Sequence, residues 1–344
     1  MANHFRILSI DGGGIRGILP GQLMVALEKK LQEKSRNANA RIADYFDMIA
    51  GTSTGGILTC LYLCPDSQDP LRPMFSAIQA VDLYLKYGKE IFKDNIRLKL
   101  QSLGGLTNEK YSVDFLEDLL KKYFKDTKLS QLLRPCLIPS YNIYARTTHF
   151  FTQHDAKASP GYDYALRDVA RATSAAPTYF EPAHVYSLSG VSYPLVDGGV
   201  FANNPALCAY AEARHKYGSA GKNVTAADMF MVSIGTGSQK RAYEYNKAKD
   251  WGAIGWVQPV LDIMMSGASD TVDFQLQQIF QSDDSRQNYI RINPEIGEAE
   301  PEMDNASLEN MQALKEAGIA CSEKQNDKLE FIADYLINSS VVSV

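Results

Sequence analysis

The stretch Asp47-Met48-Ile49-Ala50-Gly51-Thr52-Ser53-Thr54-Gly55-Gly56-Ile57 decides the fold. Its apolar start (Met48, Ile49, Ala50) reads as the end of a buried strand, and an apolar helix is expected from about residue 55 to 63. Between them a sharp turn carries Ser53, flanked by Gly51 and Gly55 in the pattern Gly-x-Ser-x-Gly. A serine at the apex of a strand-to-helix turn sits in strained backbone, and only side-chain-free neighbours let strand and helix come close. Its hydroxyl then stands over the positive end of a helix dipole, which favours developing negative charge. On this reading Ser53 is a nucleophile. The same residues would also serve as a plain small-residue turn and helix cap.

Upstream, a strand over residues 5–10 runs into Asp11-Gly12-Gly13-Gly14-Ile15-Arg16-Gly17 and then a helix over residues 19–33. Three successive glycines before a helix present bare N–H groups, which suits an anion. Neither the Walker lysine nor the Rossmann glycine spacing is present. The readings are the transient oxyanion of acyl transfer, a phosphate held by a non-catalytic binding module, or a purely structural tight turn, which would not by itself require the entropy cost of three glycines. Downstream, Tyr193-Pro194-Leu195-Val196 leads into Asp197-Gly198-Gly199, which places a carboxylate on a turn that other groups can approach. The small-residue segment Arg171-Ala172-Thr173-Ser174-Ala175-Ala176-Pro177 is expected to pack tightly, and the reaction centre is a candidate for what it packs on.

A serine hydroxyl needs a positioned base. Of five histidines only His215 follows Asp197, and it lies late in an amphipathic helix expected from Asn204 and Pro205 to residue 217. That leaves little room for a Ser-His-Asp triad. A dyad with Asp197 as base requires a desolvated carboxylate of raised pKa within reach of Ser53.

The rest of the chain bounds these readings. At 344 residues with net charge -5, it is globular in composition, and its charge argues against a nucleic-acid partner. Five scattered cysteines fit a reducing compartment, with Cys60 and Cys64 as packing residues. The helical part of the uncharged run at 48–65 would span about 17 Å against a bilayer core of about 30 Å, so no membrane span is expected. The opening strand leaves no room for a signal peptide, and a cytoplasmic protein is expected. No metal-ligand cluster is legible, so neither a metal nor a cofactor is expected. Further helices are read at 81–92, 113–124, 164–173, 254–265, 271–280, 307–317 and 323–337, and further strands at 137–144, 148–152, 228–234 and 289–292. Residues 65–80 read as a loop, 93–100 as alternating charge, and Gly104-Gly105 as a break. The lysines at 121, 122, 125 and 128 read as a solvated face. The strand at 228–234 ends in Gly235-Thr236-Gly237.

Three blocks thus stand in order: Asp-Gly-Gly-Gly-Ile-Arg-Gly (11–17), Gly-Thr-Ser-Thr-Gly (51–55) and Asp-Gly-Gly (197–199). Together they closely resemble the patatin-like phospholipase family, whose catalytic logic is shared with cytosolic phospholipase A2. The stretches 171–180 and Ala43-Asp44-Tyr45-Phe46-Asp47 resemble it too, and the likeness runs over residues 5–236. It implies a three-layer α/β/α fold around a mainly parallel sheet. The chain is expected to be a single domain, with a mostly helical C-terminal extension at 237–344 packed on the core. The resemblance implies a lipid acyl hydrolase that acts on phospholipids or related lipids. Ser53 would be the nucleophile and Asp197 the base, through an acyl-enzyme. Gly12, Gly13 and Gly14 would form the oxyanion hole, with Arg16 buttressing the loop or meeting a phosphate, and Gly51, Gly55, Gly198 and Gly199 in support. Lipid substrate and transient contact with a membrane surface follow. Some bacterial members of the family are effectors switched on by a nucleotide signal, and the extension at 237–344 would be the place for such a small-molecule regulator.

Overall fold

The computed structural model describes residues 4–93, 111–217, 224–237, 243–283 and 285–339. The expected alternating stretch at 93–100 and the break at Gly104-Gly105 lie, but for Lys93, outside the described residues. In chain order the principal elements are β1 (Phe5–Ile10), α1 (Ile18–Ser35), β2 (Met48–Gly51), α2 (Thr54–Leu63), α3 (Ala77–Ile91) and α4 (Asp114–Phe124). There follow β3 (Cys136–Asn142), β4 (Thr147–Thr152), α5 (Leu166–Thr173), β5 (Ala183–Tyr186), β6 (Ser192–Asp197) and α6 (Ala206–Lys216). The chain then adds β7 (Met229–Ile234), α7 (Gly252–Ser282), β8 (Tyr289–Ile292), α8 (Leu308–Lys324) and α9 (Asn326–Asn338).

The sheet order is β5-β6-β3-β2-β1-β7-β8, with β4 also paired to β3. Its centre is parallel, with β1 bonded between β2 and β7 in register Ile10↔Gly51 and Ile10↔Ile234. β1 and β7 are buried along their whole length, which is why neither shows the apolar–polar alternation of a half-exposed strand. Their side chains nonetheless divide between two cores. Leu8, Ile10, Ile49 and Val232 face Leu23 and Leu27 of α1 and Leu329 and Ile332 of α9. Ile7, Met48 and Met231 face Ala206 and Tyr210 of α6 and Leu276 and Phe280 of α7. Helices thus cover both faces of the sheet. At its centre Arg6, fully buried, donates through Nε to Asp47 at 3.0 Å and ties β1 to the start of the β2 turn.

Several boundaries differ from expectation for local reasons. α3 begins inside the expected loop because Ser76 and Gln79 cap each other, with the Ser76 N–H donating to Gln79 Oε1 at 2.9 Å. α7 is one helix where two were expected. Its Ala268 and Ser269 turn inward, and Ser269 Oγ accepts from Asn203 Nδ2 at 3.2 Å, so the small residues mark a close approach rather than a break. β5 escaped notice because it is a four-residue edge strand. The segment after 237 adds to the sheet: β8 pairs in parallel with β7 through Met231↔Tyr289 to Ile234↔Ile292, as the edge strand on that side. Among the described residues, no helix is long and apolar enough to cross a membrane.

Candidate active site

β2 ends at Gly51 and α2 starts at Thr54, so Ser53 occupies the turn between them, at φ 54° and ψ −120°. An L-residue is strained at that φ. The flanking glycines explain how the turn closes. A Cβ on Gly51 would overlap the Gly55 carbonyl, and one on Gly55 would overlap the Ile10 carbonyl at the end of β1. The Ser53 N–H donates to Thr173 Oγ1 at 3.0 Å, and that hydroxyl in turn donates to the Pro139 carbonyl at 2.7 Å. Thr173, the last residue of α5 and part of the small-residue segment at 171–177, was not singled out in the sequence.

Asp197 is the last residue of β6, paired opposite Ser140 on β3. Its carboxylate lies beside the Ser53 side chain at the same cavity wall and accepts the Gly199 N–H at 2.7 Å on Oδ1. Its own N–H donates to the Ala175 carbonyl at 2.9 Å, so the small-residue segment does pack beneath this pair. Only 4% of Asp197 is exposed. Burial pushes its pKa up from 3.8 to about 7, against the lowering pull of the Ser53 and Gly199 hydrogen bonds. Gly198 lies against Pro139, where a Cβ would not fit.

The glycine loop needs one correction. The Gly12 N–H donates to the Asn203 carbonyl at 3.0 Å, and so is not free for an oxyanion. Gly13 and Gly14 line a cavity together with Ser53, Asp197 and Gly199. Gly14 takes φ +59°, and the Ile15 N–H donates to the Met303 carbonyl at 2.8 Å, so the C-terminal segment forms part of the loop's seat. Arg16 does not line the cavity. Burial lowers its pKa, partly countered by Asp262, Tyr179 and Glu302, a placement that fits buttressing the loop and not meeting a substrate phosphate.

The cavity holds about 170 Å³ and is walled by apolar side chains. Ile57 and Leu61 descend from Ser53 along α2, Leu83 and Tyr87 come from α3, Leu120 and Phe124 from α4, and Leu261 and Met265 from α7. None of the five histidines lines it, and His215 is exposed on α6. His149, packed among Phe151, Tyr164 and Tyr193, has its pKa lowered to about 4 by burial and stays neutral. Elsewhere the fold gathers ligand-type groups that the sequence reading did not find. His154 Nε2 lies 3.0 Å from Asp155 and 3.3 Å from Glu212. The Lys216 ammonium stands 3.7 Å from the same Asp155 oxygen, so a cation already neutralises that group.

The patatin-like phospholipase family profile matches residues 8–210. The chain belongs to that family. Patatin-like protein 2 of Arabidopsis thaliana is 37% identical over 339 residues, covering 92% of this chain and 82% of the relative. Patatin group J-1 of Solanum tuberosum is 33% identical, covering 94% and 84% respectively. Among solved structures, VipD from Legionella pneumophila aligns over 95% of this chain and 67% of its own, with TM-score 0.41 and 13% identity, too distant to bear on the site. Both plant likenesses extend well past residue 237, so the C-terminal segment is shared with these patatin relatives and is no separate addition.

Proposed function

We propose that this patatin-family chain hydrolyses fatty-acyl esters of phospholipids or related lipids, with Ser53 as nucleophile and Asp197 as its base. The observation that carries the reading is that Ser53, on its strained turn, and the buried carboxylate of Asp197 meet at the wall of one apolar cavity. In the first step Asp197 takes the Ser53 proton as Oγ attacks the ester carbonyl. The Gly13 and Gly14 N–H groups and the N-terminus of α2 hold the oxyanion. The protonated Asp197 then gives its proton to the departing lysolipid alcohol, leaving an acyl-serine. Water, deprotonated by Asp197, attacks that ester and releases the fatty acid. The acyl chain lies in the cavity along Ile57 and Leu61.

A lipid surface is the partner this requires. The outer face of α7 supports it: Trp256, Val260 and Ile263 are exposed there, while Leu261, Met264 and Met265 on the same helix line the cavity. The test is direct. A fluorophosphonate probe should label wild type covalently and leave Ser53→Ala unlabelled. Both Ser53→Ala and Asp197→Asn should lose hydrolysis of p-nitrophenyl butyrate by at least about a thousandfold while keeping the fold. A phosphate-binding module would take no label. If His215→Ala were equally damaging, the dyad would be wrong. Mass spectrometry of products from a total lipid extract, wild type against Ser53→Ala, would identify the lipid.

A further inference from the structure

The Gly235-Thr236-Gly237 turn after β7 and the strand β8 have no part in the chemistry described above, yet both close on the glycine loop. β1, β7 and β8 run parallel in the register Ile10↔Ile234 and Ile234↔Ile292, so all three end on one edge of the sheet. From that edge Asp11 begins the loop, its N–H donating to the Ile234 carbonyl at 3.0 Å. Its side chain does not line the cavity, and only 3% of Asp11 is exposed. Arg291 of β8 reaches across β7 and grips it: Nη1 donates to Oδ1 at 2.8 Å and Nη2 to Oδ2 at 2.5 Å. Nη1 also donates to Ser233 Oγ at 2.8 Å.

The turn makes room for this grip and adds to it. A Cβ on Gly235 would overlap the Asn293 side chain and press on Arg291 Nη2. Thr236 Oγ1 donates to the Gly12 carbonyl at 2.6 Å, and its side chain fills the space a Cβ on Gly13 would need. The loop is therefore held at Asp11, two residues before its cavity-facing glycines, and at the Gly12 carbonyl of the peptide leading into them. A buried ion pair contributes little stability beyond what an apolar pair of similar size would. A two-pronged arginine–carboxylate contact does fix orientation.

We propose that Arg291 is a positioning residue for acyl transfer: through Asp11, and alongside Thr236, it sets the placement of the Gly13 and Gly14 N–H groups over Ser53. This rests on the Ser53 hydrolase reading. A misplacement of about 1 Å at such a site is worth about a hundredfold in rate.

The experiment measures kcat and KM on p-nitrophenyl butyrate for full-length Arg291→Gln, Arg291→Lys and Asp11→Asn. Circular dichroism reports the fold, and the rate of fluorophosphonate labelling reports the oxyanion site, because the probe's phosphoryl oxygen occupies the same place. Arg291→Gln and Asp11→Asn should lower kcat by about 30- to 100-fold with KM within about twofold, and labelling should slow in parallel. Arg291→Lys should recover about tenfold of that loss. Should Arg291→Gln not fold, Asp11→Asn and Arg291→Lys decide by the same split. A kcat within about twofold of wild type in folded variants overturns the proposal, as does a loss confined to KM or to thermal stability. Hydrolysis that survives Ser53→Ala would instead overturn the reading on which the proposal rests.

Discussion

As the proposed base, Asp197 carries two opposed demands. A base must be ionised to take the Ser53 proton, yet burial favours its neutral form and lifts its pKa from 3.8 to about 7. kcat/KM for a soluble ester should therefore rise with pH along a limb centred near 7 and be level well above it. A flat profile from pH 5 to 8 would contradict Asp197 as base. The same shift acts on stability. Between the ordinary carboxyl pKa and about 7 the folded chain holds a proton that the unfolded chain has lost. The contribution is thus fully present at low pH and is lost as pH rises through about 7. The shift corresponds to something on the order of 4 kcal/mol. Asp197→Asn should consequently be inactive yet more heat-stable than wild type at pH 8, with the gap in Tm narrowing toward pH 5. Equal melting of the two proteins at every pH would refute this linkage. Ser53 shows the matching feature in the backbone, with strain at its φ retained at the one place where the hydroxyl must stand clear of the fold.

Among the elements, α2 lines the cavity from Ser53 and Thr54 through Ile57 to Leu61. Ser53 precedes its first turn, and Leu61 lies eight residues on, about 12 Å down the helix axis. Leu61→Phe should therefore leave hydrolysis of a four-carbon ester nearly intact and reduce that of a twelve-carbon ester about tenfold or more. Chain-length profiles on p-nitrophenyl esters check this, and a uniform loss at both lengths would place the acyl chain elsewhere. Where local signals are strong, these elements were legible from the residues. The Gly51-Ser53-Gly55 turn, β1, α2 and β8 follow directly from apolar runs and glycine spacing. α7 was misread as two helices because Gly267, Ala268 and Ser269 weaken the periodic pattern, and only packing against the Gly199–Ala202 turn shows why small residues sit there. Gly12 was misassigned for a related reason. Three adjacent glycines look alike in sequence, and the carbonyl that claims one of their N–H groups belongs to Asn203, far along the chain.

Across the whole molecule, the C-terminal segment is built into the sheet and the main core. β8 covers the β7 edge, α9 buries Leu329 and Ile332 in the main core, and Lys30 of α1 bonds to Glu330 at 2.6 Å. A chain ended at residue 237 should expose the β7 edge together with that core face, and should be recovered aggregated rather than as a monodisperse species on size exclusion. Soluble, active material from such a truncation would show the segment to be dispensable. The sequence by itself pointed to the family, the parallel α/β plan, the Gly51-Ser53-Gly55 turn and a carboxylate at Asp197 backed by two glycines. Those depend on short-range patterns: strand-to-helix periodicity, and glycines wherever backbone must approach backbone. Tertiary structure alone decided that the Ser53 hydroxyl meets Asp197, that Gly13 and Gly14 and not Gly12 face the cavity, and that Arg291 holds Asp11. Each of these is a contact between segments 100 or more residues apart, and no local preference of the chain encodes which distant group will arrive there.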